Sequence, residues 1–90
     1  MFAEHWIVTE NTNCYSAPNG DYFGAEDIEP GPWRTNSDIE TCKRSCVALR
    51  NECTGFIWGT TTHNCHLKKH INPQKCYHVT DGDLYQLELY

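Results

Sequence analysis

The 90-residue chain reads as a small α+β domain in which one helix lies on an antiparallel β-sheet and disulfides brace the two. Three observations carry that reading. One helical pattern with a start signal runs from Ser37 to about Arg50. Short β-rich stretches punctuated by Gly, Pro, Asn and Asp fill most of the remainder. Cysteines at 14, 42, 46, 53, 65 and 76 make an even number in a short chain, the mark of a disulfide framework. A chain this short buries a modest share of its surface and needs such staples. Zinc is the competing use of the sulfurs, but the spacings C-x3-C, C-x6-C and C-x11-C lack the paired C-x2-C knuckles of structural zinc sites.

The elements follow in order. W-I-V-T at Trp6–Thr9 is β-rich and short, and E-N-T-N after it is turn-prone, so a first edge strand is expected there. Tyr15 to Trp33 holds three of the four prolines and three of the six glycines and reads as a long loop, with one short strand at Asp21 to Phe23. Ser37 and Glu40 form a capping-box pattern that opens a helix from Asp38, acidic in its first turn and basic toward its end. Ile39, Cys42, Cys46 and Leu49 fall on one helical face. T-G-F-I-W-G (Thr54 to Gly59) and H-N-C-H-L-K-K (His63 to Lys69), joined by a turn at Thr60 to His63, form a hairpin with Phe56, Trp58, Cys65 and Leu67 inward, and Asn64, His66 and Lys68 alternating against them. His70 to Asp83 is loop, and Leu84 to Tyr90 closes as a strand with Tyr85, Leu87 and Leu89 on one side.

Six cysteines allow 15 connectivities, and spacing alone does not choose among them. Cys42 and Cys46 lie one turn apart and point the same way, so each is expected to reach a different neighbour. Cys53 follows the helix closely enough to double back to Cys46, and Cys65 on the returning strand can reach Cys42. Cys14 and Cys76 then remain for each other.

The net charge of −5 is unevenly spread. Residues 1–33 carry six acids and no Lys or Arg; residues 34–75 hold all seven basic residues. An acidic domain is a poor partner for nucleic acid, whose phosphates demand cations. No stretch approaches a membrane span, and M-F-A-E-H-W-I-V lacks the basic start and apolar core of a signal peptide. The expectation is a single domain over 1–90, ordered from about residue 6, excised from a longer secreted or cell-surface protein, with Met1 an added start. No N-x-S/T sequon occurs.

At C-K-R-S-C (Cys42, Cys46), C-T-G-F-I-W (Cys53, Gly55, Phe56, Trp58) and C-H-L-K (Cys65, Leu67, Lys68), with outer cysteines at 14 and 76, the chain resembles the apple domain of the PAN superfamily. The resemblance implies a curved antiparallel sheet cradling one helix, with pairs Cys42 to Cys65, Cys46 to Cys53 and Cys14 to Cys76. It implies a binding module rather than an enzyme. The six-cysteine pattern with its outer pair is most similar to the tandem apple domains of micronemal adhesins in apicomplexan parasites such as Eimeria and Toxoplasma.

The residues themselves offer little catalysis. No nucleophile elbow, H-E-x-x-H, phosphate loop or EF-hand occurs. His63 and His66 would face opposite sides of a strand, which leaves His66, His70 and His78 as the residues of any weak metal site and solvated surface histidines as the simpler reading. No cofactor or metal is expected. Two forms of binding remain. A protein partner or host-cell receptor would be held by aromatics on the open sheet face or by the acidic loop Tyr22 to Trp33, with Trp33, Arg34 and Trp58 as anchors, although Trp58 suits the core better. A glycan would stack on Tyr77 with His78, Lys68 and Lys69 around it. A structural spacer in a tandem array would leave no mark of its own. An extracellular interaction module that binds protein is the expected function.

Overall fold

A computed structural model describes residues 4–16, 24–28, 37–49 and 51–89. Alternation of apolar side chains builds its centre. Strands β5 (Gly55–Gly59) and β6 (Cys65–Lys69) pair antiparallel with Phe56 opposite Leu67 and Trp58 opposite Cys65. On the other side of β5 runs β8 (Gly82–Leu89), with Tyr85 opposite Phe56, and outside it lies β1 (Glu4–Thr9) as the edge strand. Beyond β6 come β4 (Gly24–Asp27) and β3 (Tyr15–Ser16), the latter pair parallel, which gives the order β1-β8-β5-β6-β4-β3. A separate ribbon joins β2 (Thr12–Asn13) to β7 (Tyr77–His78).

Because side chains alternate, the sheet buries a different set on each face. On one face Phe56, Trp58, Cys65, Leu67 and Tyr85 pack against Cys42 and Cys46 of helix α1 (Ile39–Ala48), with Trp6, Ile39, Leu49 and Leu87 half-buried around them. Phe56 stacks on Tyr85 with ring centroids 4.8 Å apart and meets Trp6 edge-on at 5.4 Å. Lys43 on the helix lies 5.9 Å over both the Trp6 and the Tyr85 ring. On the opposite face Ile57 and Leu84 are buried with Cys14 and Ala25, and Ile71 packs beside them. That face, expected to be open, is therefore covered by a second small core.

The helix starts one residue later than the capping box suggests. Asp38 is the N-cap, accepting the Thr41 N–H at 2.7 Å. Ser37 cannot reciprocate with Glu40 because its own N–H donates to the His63 carbonyl at 3.0 Å. Glu40 instead pairs with Lys43 at 3.4 Å. The Thr41 backbone N–H, then its side chain, hold the Asp38 carboxyl below the usual value. The helix ends at Ala48 with Leu49 as C-cap and no basic residue in its last turn, so the expected basic end is absent.

Three disulfides close the fold: Cys42–Cys65 ties helix to β6, Cys46–Cys53 ties helix to its exit turn, and Cys14–Cys76 ties the N-terminal segment to the residue before β7. Two segments read as loop contain strands. The strand expected at Asp21 to Phe23 lies outside the described residues, and β4 forms at Gly24–Asp27 although Gly-Ala-Glu-Asp has little β preference. Its register explains it, since Glu26 sits opposite Lys69 and Asp27 opposite Lys68, two cross-strand pairs of opposite charge. In the segment after His70, Pro73–Lys75 makes a single 3-10 turn capped by Asn72, and β7 follows. His63 is in the turn and not in the strand; its φ is 58° and its ring stacks on Trp58 at 5.4 Å. The side chain of Leu89 and all of Tyr90 lie outside the described residues.

Candidate functional site

Among the described residues, the most exposed aromatic pair sits where the outer disulfide draws two distant segments together. Cys14 is fully buried, and Gly24 packs against its partner Cys76: a Cβ at Gly24 would come 2.6 Å from the Cys76 Sγ. Gly24 also has a φ of 97°, so both space and backbone demand glycine. The Asn72 N–H donates to the Gly24 carbonyl at 2.7 Å and the Val79 N–H to the Asn11 carbonyl at 2.9 Å, which fixes both flanks. Each cysteine is followed by a tyrosine. Tyr15 and Tyr77 thus emerge side by side, their rings edge-to-face at 5.4 Å and 61°, with 46 % and 44 % of each residue accessible. His78, paired across the ribbon with Thr12, is exposed beside Tyr77. The result is a rigid aromatic ledge on a covalent base.

The other candidates are placed differently. Lys68 is only 4 % accessible and its ammonium is paired with the Asp27 carboxylate, so it is a buried charge pair and not a surface cation. Lys69 alternates to the other side of β6 and is half-buried opposite Glu26. The Glu26 carboxylate in turn meets the His70 Nδ1 at 2.9 Å. Trp58 belongs to the core on the helix side. Trp33 and Arg34, with the acidic loop around them, lie outside the described residues.

The histidines do not converge. His66 is half-buried, and burial first and the Lys68 charge second push its pKa down, with Asp27 opposing. Among the described residues no group of three or more His, Cys, Asp or Glu could hold a metal ion. No helix of the structure is long and apolar enough to cross a membrane.

Sequence reasoning missed Tyr15. The signal was present, since C-Y occurs at 14–15 and again at 76–77; once the two cysteines bond, the two tyrosines must neighbour each other. It also missed the charge pair of Asp27 with Lys68, which depends on a strand that local preference does not indicate.

Comparison with curated proteins and with solved structures returned no match. The pattern of the PAN domain family matches residues 14–89, from the outer cysteine of the ledge to the end of β8. PAN domains are non-catalytic modules that bind protein or carbohydrate in extracellular proteins. The match spans the helix, all six bonded cysteines and the six-stranded sheet except its edge strand β1, and with the α+β architecture it shows that the chain belongs to the PAN domain family.

Proposed function

We propose that this PAN domain is an extracellular adhesion module that binds another protein, a host-cell surface receptor in the manner of a parasite micronemal adhesin, with Tyr15 and Tyr77 as its contact ledge. The exposed tyrosine pair carries the reading. Tyrosines are common interface anchors, and a side chain already held by a disulfide and a cross-strand ribbon loses little entropy on binding. Trp33 and Arg34 are further proposed anchors for the same partner. A glycan reading has one observation in its favour: Tyr77 with the adjacent exposed His78 offers an aromatic face beside a hydrogen-bonding group.

The test is binding of a multimerised domain to a panel of cell-surface proteins, with Tyr15→Ser/Tyr77→Ser beside the parent; clustering amplifies weak single-site affinity. Loss of binding in the folded double variant supports the reading. Unchanged binding moves the contact elsewhere, and binding abolished by free sugar replaces protein with glycan.

A further inference from the structure

We infer that the outer edge of β1 is a second contact surface, built to accept an extended, lysine- or arginine-bearing strand of a partner protein. The inference rests on the protein-binding reading above but assigns it a different surface. β1 ends the six-stranded sheet, and among the described residues nothing pairs with its outer edge. Sheet edges are ordinarily guarded by short strands, lysines, prolines or bulges. The opposite end of this sheet follows that rule, because β3 has two residues. β1 does not: it has six residues, E-H-W-I-V-T, with neither Lys nor Pro, and pairs with β8 without a bulge from Glu4 opposite Leu89 to Thr9 opposite Leu84. Every residue except Trp6 is exposed, including Ile7 at 40 % and Val8 at 47 %.

Charge chooses the occupant. Glu4 and Glu10 bracket the strand, and Asp81, Asp83 and Glu88 lie in or just before β8, while residues 4–16 and 76–89 contain no Lys or Arg. Lys43 over Trp6 is on the helix side and is itself paired with Glu40. A second copy is a poor occupant, because antiparallel pairing of two β1 strands about Ile7 sets Glu4 against Glu10 at both ends. A strand with basic residues at its ends meets opposite charges in the same places. On the face away from the helix, Ile7, Thr54, Ile71 and Gln86 line a shallow groove of about 370 Å³. An added strand presents every second side chain to that face, so an aliphatic residue opposite Ile7 would cover the groove.

The experiment titrates the isotope-labelled full chain with a short alternating Thr–Val peptide carrying lysines at both ends, and with its glutamate-ended analogue, while backbone amide shifts and exchange are followed. The lysine peptide is expected to shift and protect amides along Glu4–Thr9. Its binding should weaken as salt rises and drop about tenfold in Glu4→Lys/Glu10→Lys. Both glutamates are exposed, so the variant should keep the parent spectrum outside β1. Equal binding of the glutamate peptide, or no response of β1 to either peptide, overturns the inference. Shifts confined to Tyr15 and Tyr77 overturn it while leaving the protein-binding reading intact. Self-association through β1 without peptide makes a second copy the occupant and also overturns it. Sugar binding with no response to any polypeptide would bring down the protein-binding reading itself.

Discussion

Replacing Cys14 and Cys76 together by alanine removes the cross-link on which both the back core and the tyrosine ledge stand. The bonded cysteines are separated by 62 positions in Cys14–Cys76, 23 in Cys42–Cys65 and 7 in Cys46–Cys53. Closing loops of those lengths in the unfolded chain gives contributions of about 4.3, 3.4 and 2.4 kcal/mol at 25 °C. A chain of this length has a total stability of roughly 5–13 kcal/mol, so the outer bridge supplies a large share. Urea unfolding of the three double-alanine variants, followed by tryptophan fluorescence, should rank the losses in the order of loop length. The slope of free energy against urea should rise most for Cys14→Ala/Cys76→Ala, whose unfolded chain is freed over the longest span. A loss below about 1 kcal/mol in that variant, or a larger loss on removing Cys46–Cys53, would refute the reasoning. The same variant should lose the Tyr15–Tyr77 ring contact, read as a change in the tyrosine ring shifts.

Four further outcomes follow from particular contacts. Gly24→Ala should cost on the order of 1–3 kcal/mol in the same urea assay, since the new methyl meets the Cys76 sulfur at a backbone angle that disfavours it. Asp27→Asn should destabilise by about 2–4 kcal/mol, because it strands the buried Lys68 ammonium, whereas Lys68→Met removes that charge and should cost clearly less; the reverse order would contradict the pairing. His66 prefers its neutral form in the folded state, so its contribution is full above about pH 6.5 and is lost as pH falls through its lower folded value. Melting temperature should therefore drop between neutral pH and pH 5, less so in His66→Gln. Asp38 acts in the same direction at lower pH, its stabilising effect being lost as pH falls through its depressed folded value.

How much of this was legible depended on whether the signal was local. The hairpin of Phe56, Trp58, Cys65 and Leu67 and the helix face of Ile39, Cys42, Cys46 and Leu49 follow from periods of two and 3.6, which tertiary packing exploits and does not alter. The cap was misplaced by one residue because Ser37 and Asp38 are both good caps, and only the distant His63 carbonyl, which takes the Ser37 N–H, decides between them. Strands β4 and β7 are short and β-poor or two residues long; they exist because of cross-strand charge and the outer disulfide, neither of which a window of sequence contains. Alternation correctly set Lys68 on the face opposite Leu67. It could not show that this face is roofed by Asp27 and the Cys14–Cys76 layer, which turned an expected ligand cation into a buried ion pair.

The claim that the ledge binds protein rather than sugar is most directly tested by a glycan array probed with the multimerised, correctly bridged domain. The expected result is no saturable binding to any sugar class, with Tyr15→Ser/Tyr77→Ser indistinguishable from the parent. Saturable binding to one class, competed by the free sugar and lost in the tyrosine variant, would contradict it and make the same ledge a lectin site.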